Sequence, residues 1–167
     1  MSLKAEIIKS NFKDQVVHVT AEISTDKDKF AELMRLFFSH DNTYAQRASW
    51  VMMHCTDRYP WLVKPYLKKL VKNLYQSPGE ATKRNTVRLL QFIDIPESLW
   101  GETIEICFRY LTSNEAIAIK VFSMTVLYKL SRMVPEISTE LKVIIEDQLP
   151  YGSAGFKNRG NKILAKL

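Results

Sequence analysis

Residues Ala116–Met133 read AIAIKVFSMTVLYKLSRM, and Pro135 closes the stretch. The segment is almost wholly apolar, carries Lys120, Lys129 and Arg132, and has no acid. Its length and composition predict a helix buried on most of its faces. Segments of the same kind recur at 42–55, 81–93 and 154–167. The fold follows from asking how these four are related.

Helical periodicity fills the chain around them. Residues 1–24 predict one or two short helices, with 15–23 open to either helix or strand. Ser24 or Thr25 is expected to cap the next helix, with acids in its first turn. Amphipathic runs follow at 28–40, 44–59, 61–75, 81–93, 97–111, 136–149 and 154–167. The breaks between them fall at Asp41-Asn42-Thr43, Pro60, Ser77-Pro78-Gly79, Pro96, Ser113-Asn114, Pro135 and Pro150-Tyr151-Gly152.

A repeat underlies these breaks. Arg84, Lys120 and Arg159 each lie 24 residues after Pro60, Pro96 and Pro135, and Arg47 lies 24 after Ile23. Seven, ten, eleven and fourteen residues after each reference point come the apolar columns. They are Phe30, Leu33, Met34 and Phe37, then Leu67, Leu70, Val71 and Leu74, then Thr103, Ile106, Cys107 and Tyr110. The fourth set, Lys142, Ile145, Glu146 and Leu149, keeps half the pattern, as a polar terminal cap should. The units are 36 to 39 residues long. The expected architecture is all-α: about four antiparallel helix pairs (25–57, 60–93, 96–133 and 135–167) behind an N-terminal helical cap (1–24). One pair cannot bury its apolar face alone, so residues 1–167 are expected to fold as a single repeat domain.

With paired helices, this unit length and a base near the start of each second helix, the chain resembles HEAT-like repeat proteins over roughly 24–167. Such a likeness implies a right-handed α-solenoid whose second helices line the concave side. Many HEAT repeats also place an Asp before the second helix. Here only Asp41 fits, with Pro78, Asn114 and Ser153 at the other positions. QRASWV, AIKVFSMTVLYKL and ELKVIIEDQLPYGSAGFKNRGNKIL are similar to segments of small bacterial HEAT-like proteins. A more distant likeness is to the HEAT-like alkylpurine DNA glycosylases. Some relatives carry an adenylosuccinate lyase label, but the chain is too short for that fold and lacks its Ser-rich, Met-Pro-Lys signature loop.

The four second helices hold one, three, three and four bases over 42–55, 81–93, 116–133 and 154–167, with no Asp or Glu. The acids sit mostly in the outer helices. Positions 0, +3 and +7 share a helix face. They bring together Arg47, Trp50 and His54; Arg84 and Gln91 with Val87, flanked by Lys83 and Arg88; Lys120 with Ser123 and Leu127; and Arg159 with Lys162 and Lys166. A face of this kind attracts phosphates or acidic side chains, and Trp50 could stack on a base or a peptide. Arg47, Arg84, Lys120 and Arg159 could equally bond loop carbonyls of the preceding repeat, and Trp50 could belong to the core. Lys64, Lys68, Lys69 and Lys72 form a further basic stripe, either solvated or facing an acidic partner.

The expected function is a non-catalytic interaction module that binds an acidic protein segment or a phosphate-rich ligand. The alternative is a nucleic-acid-binding relative of the glycosylases. Catalysis is not expected: the inferred face offers His54 and no acid, four residues beyond Trp50 stands a histidine, and no Gly-rich phosphate loop occurs. His18, His40 and His54 lack metal-ligand spacing, so neither metal nor cofactor is expected. Cys55 and Cys107 fall at apolar positions and read as buried reduced thiols. The N-terminus has no signal-peptide pattern and no run of about 18 apolar residues occurs, so no membrane contact and a cytoplasmic location are expected. The net charge of +6 permits an anionic partner without requiring one.

Overall fold

The computed structural model describes residues 2–9 and 12–167. The stretch 1–24, predicted to hold one or two short helices, includes Ser10 and Asn11, which lie outside the described residues. The described residues are helical and contain no strand. They form two compact units, 1–89 and 90–167.

The first unit contains α1 (Leu3–Ile7), α2 (Phe12–Ile23), α3 (Lys27–Phe37), α4 (Asn42–Arg58), α5 (Leu67–Leu74) and most of α6 (Glu80–Leu90). Helix α2 settles the helix-or-strand choice for 15–23. The N-cap of α3 is Asp26, not Ser24 or Thr25. Its Oδ1 accepts from the N–H groups of Asp28 and Lys29 at 2.9 and 3.0 Å, which satisfies two orphan donors of the first turn. Ser24 instead ends α2 in the left-handed region, with φ 43°. The helix expected over 61–75 is also interrupted. Pro60–Tyr66 is a 3₁₀ segment, and α5 starts only at Leu67. Pro65 has no N–H for the i−4 carbonyl, so an α-helix cannot run through it.

The second unit contains a 3₁₀ turn at Glu97–Leu99, α7 (Trp100–Thr112), α8 (Ile117–Ser131), α9 (Ile137–Gln148), a 3₁₀ turn at Leu149–Tyr151 and α10 (Ala154–Leu164). Helix α8 is the opening stretch of the sequence trimmed by one residue at the start, where Ala116 is the N-cap, and by two at the end. It packs against α7, α9 and α10, which is why it is apolar on most sides.

The repeat columns are the core. Phe30, Leu33, Met34 and Phe37 are buried, as are Leu67, Leu70, Val71, Leu74, Ile106, Cys107 and Tyr110. Each such aliphatic or aromatic side chain contributes about 2 kcal/mol by leaving water. The fourth set is buried at Ile145 and exposed at Lys142 and Glu146, matching its half-pattern. Cys55 and Cys107 are free and buried. Burial pushes both thiols up to about 12, because the thiolate cannot be solvated there.

Candidate functional site

In the first unit, α2, α4 and α6 surround a cleft of about 420 Å³. Its walls are Phe12, Lys13, Gln46, Arg47, Trp50, Ala81, Arg84 and Asn85. Three are cations and none is a carboxylate. Local packing explains the arrangement. Ala48, Met52 and Cys55 turn the apolar face of α4 into the core, which leaves Arg47 and Trp50 on the opposite side. Asn85 Nδ2 donates to Ser49 Oγ at 2.8 Å in a buried bond that ties α6 to α4. Ser49 Oγ in turn donates to the Gln46 carbonyl at 2.7 Å. The floor is therefore fixed by a fully paired polar contact, which is costly to break when buried.

Arg47 is partly committed to the fold. Its Nη1 donates to the carbonyls of Ile7, the last residue of α1, and Lys9, two residues further on, at 2.9 and 2.8 Å. A cation there compensates the negative helix end. Its guanidinium also lies 5.3 Å from the centre of the Phe12 ring. Phe12 meets Trp50 edge-on at 6.0 Å, and Trp50 lies 6.2 Å from the His54 ring. Trp50 is thus not a core residue; it is 36% exposed and packs in a T-shaped contact with Phe12. Lys13 is exposed at the mouth and makes no ion pair among the described residues. Arg84 has only a loose contact, 3.9 Å, with Glu80 one turn earlier.

The predicted stripe does not survive as a continuous acid-free row. Helix α4 runs on to Arg58 and so includes Asp57, whose carboxylate lies 3.6 Å from Arg88. Helix α6 begins one residue early, at Glu80. Of the four second helices, only α8 and α10 are free of acids. In α6 and α8 the positions expected to floor a groove, Val87, Ser123 and Leu127, are completely buried. Gln91 lies past the end of α6, where its Oε1 accepts from Arg159 Nη1 at 3.3 Å. Arg159 also donates to Thr125 Oγ1. Lys120 Nζ donates to Gln148 Oε1 at 3.4 Å, and Gln148 donates on to the Leu111 carbonyl. Lys162 is exposed on α10, and Lys83 is half-buried on α6.

The structure therefore brings Arg47, Trp50 and Arg84 into one cleft. It keeps Lys120, Arg159 and Lys162 in the second unit with separate partners or none in common with that cleft. Sequence reasoning missed Phe12 and Lys13, because the cap was read for its fold alone. It also missed Lys129, whose Nζ donates to the carbonyls of Leu90 and Ile93. Burial holds its ammonium below the usual lysine range. The phase of α8 carries that signal: Lys129 is one of only two bases inside a helix packed on three sides.

The model of the HEAT repeat domain family matches residues 3–167. The chain belongs to the HEAT repeat family. Paired helices with conserved spacing of apolar columns, as seen here, are the physical content of that membership. No curated protein and no solved structure matches significantly. The HEAT repeat family is typically non-catalytic, and membership in it places this chain with the protein-interaction scaffold kind of module. Among the described residues, no group of His, Cys, Asp and Glu could hold a metal ion. No helix among them is long and apolar enough to cross a membrane.

Proposed function

We propose that this HEAT module binds an anionic segment of a partner, acidic or phosphorylated, in the cleft between α2, α4 and α6. One observation carries the reading: Lys13, Arg47 and Arg84 line that cleft with no carboxylate among its walls. Charge distribution supports it. Residues 1–89 hold 15 Lys and Arg against 9 Asp and Glu, and residues 90–167 hold 9 of each, so the whole excess of +6 sits in the first unit. An anion approaching that unit meets a favourable field before it meets any contact. Trp50 then offers a flat apolar face next to the charges, suited to the side chain or backbone flanking the anionic group.

The test uses three defined probes: a glutamate-rich peptide, its phosphoserine counterpart and a short DNA duplex. Each is titrated into the wild type and into the Lys13→Glu/Arg84→Glu variant. Arg47 is left in place because it is bonded to the end of α1. One or both peptides should bind, weaken as salt rises, and lose most of their affinity in the variant. Unchanged peptide affinity in the variant sinks the reading. Binding of the duplex alone would replace it with nucleic-acid recognition.

A further inference from the structure

The second unit has a cleft of its own, about 540 Å³, formed where the start of α8 meets the end of α9 and the start of α10. Its charge is opposite in sense. Glu115 and Asp147 line it with Lys120, two carboxylates to one ammonium. The ammonium is already engaged by the Gln148 amide oxygen. Asp147 is exposed and makes no ion pair among the described residues.

The apolar walls are equally distinctive. Tyr151, in the 3₁₀ turn Leu149–Tyr151, is 91% exposed, and Ile117, the first residue of α8, is 53% exposed. The 3₁₀ turn Leu149–Tyr151 ends at Gly152, and a Cβ on Gly152 would lie 2.7 Å from the Phe156 ring. The Phe156 ring therefore occupies the space beneath the turn, and the Tyr151 ring remains at the rim. Phe156 itself is fixed by Ser153, whose Oγ accepts from its N–H at 3.2 Å. An exposed tyrosine offers a large amphipathic face with only two side-chain torsions to order on binding, and tyrosines are enriched among the residues that dominate interface energetics.

We infer that this cleft is a second docking site, one that receives an arginine-bearing extended segment of a partner protein. The guanidinium pairs with Asp147 and stacks on the exposed face of Tyr151, and a neighbouring aliphatic side chain of the segment covers Ile117. Arginine fits better than lysine because its planar head can pair with a carboxylate and lie on a ring at once. The inference is independent of the anion site in the first unit and uses none of its residues.

The test is a titration of the labelled full-length protein with acetyl-Leu-Arg-Leu-amide, followed by backbone amide resonances. The expected result is saturable shifts at Ile117, Gly152, Ser153 and Phe156. Acetyl-Leu-Glu-Leu-amide should bind more weakly by at least about fivefold. Asp147→Asn and Tyr151→Ala should each weaken the arginine peptide about fivefold, and both positions are exposed, so the fold tolerates them. Arg84→Glu should leave this binding unchanged. Absence of shifts at these four amides, or equal affinity for the two peptides, overturns the inference. Loss of affinity with Arg84→Glu would also overturn it, because the peptide would then be in the first unit.

Discussion

The two units are built from the same kind of helix pair, yet their clefts differ in sign. In residues 1–89 three cations line the cleft and no carboxylate does. In residues 90–167 two carboxylates stand with one lysine that is already hydrogen-bonded. The repeat conserves the apolar columns because these must mesh with their neighbours. It leaves the polar positions free to diverge. A base at the same repeat position, Arg47 or Lys120, thus lies in an all-cationic cleft in one unit and in an acid-containing cleft in the other.

The largest expected effect concerns the buried thiols, one in each unit. With both thiols pushed up to about 12, native-state alkylation at neutral pH should be slower than for a free cysteine by more than about a thousandfold. Iodoacetamide labelling followed by mass spectrometry would then time the opening of each unit separately. Rapid labelling of either cysteine would show that its unit is looser than its packing indicates.

Charge reversal comes next. Lys13→Glu/Arg84→Glu should reduce affinity for the anionic peptide about tenfold or more, whereas Lys120→Glu should leave it within about twofold. Equal losses in both variants would erase the contrast between the clefts.

Arg47 and Arg84 can be separated by stability. Arg47→Ala removes two charge-assisted bonds to carbonyls and should cost about 2 kcal/mol in urea unfolding. Arg84→Ala should cost less than about 0.5 kcal/mol, since it breaks only a loose, exposed contact. The reverse order would show that Arg84, rather than Arg47, belongs to the scaffold.

Gly152→Ala tests the rim of the second cleft. Its Cβ would meet the Phe156 ring and the Gln148 carbonyl, so a loss of about 1–2 kcal/mol is expected. Binding in the first unit should be unaffected.

The smallest effect is at Asp26. The N–H of Lys29, foremost, holds its carboxyl below the ordinary value of 3.8. A depressed folded-state value means that the cap stabilises above 3.8 and that its contribution fades as pH falls through the lowered value. Asp26→Ala should therefore unfold more easily than wild type at neutral pH, and the gap should close in acid. A gap that stays constant with pH would remove the carboxylate from the capping role.

Much of the architecture was legible in the chain. Helical elements begin at or just after Pro60, Pro96 and Pro135, and nearly every residue of the apolar columns is buried as expected. Local interruptions were less legible. Pro65 stood in plain view, but a helix-period pattern around it, Leu62, Leu67, Leu70 and Val71, masked the 3₁₀ segment. At the site, residue types were readable and their commitments were not. The acid-free windows 42–55 and 81–93 left out Asp57, which the predicted run 44–59 already contained, and Glu80, with which α6 begins one residue earlier than predicted.

What the sequence determined by itself is periodic: all-helical structure, the pairing of helices, and the face of each that enters the core. These follow from side chains three and four residues apart, so a linear pattern contains them. What only the tertiary structure decided is which cations are occupied. Arg47 meets carbonyls 38 and 40 residues away, and Arg159 meets Thr125 34 residues away. Those encounters depend on how side chains extend between helices that are distant in sequence, and no local spacing encodes them. The physical reason is that apolar burial is summed over a face, whereas a hydrogen bond depends on one atom's position.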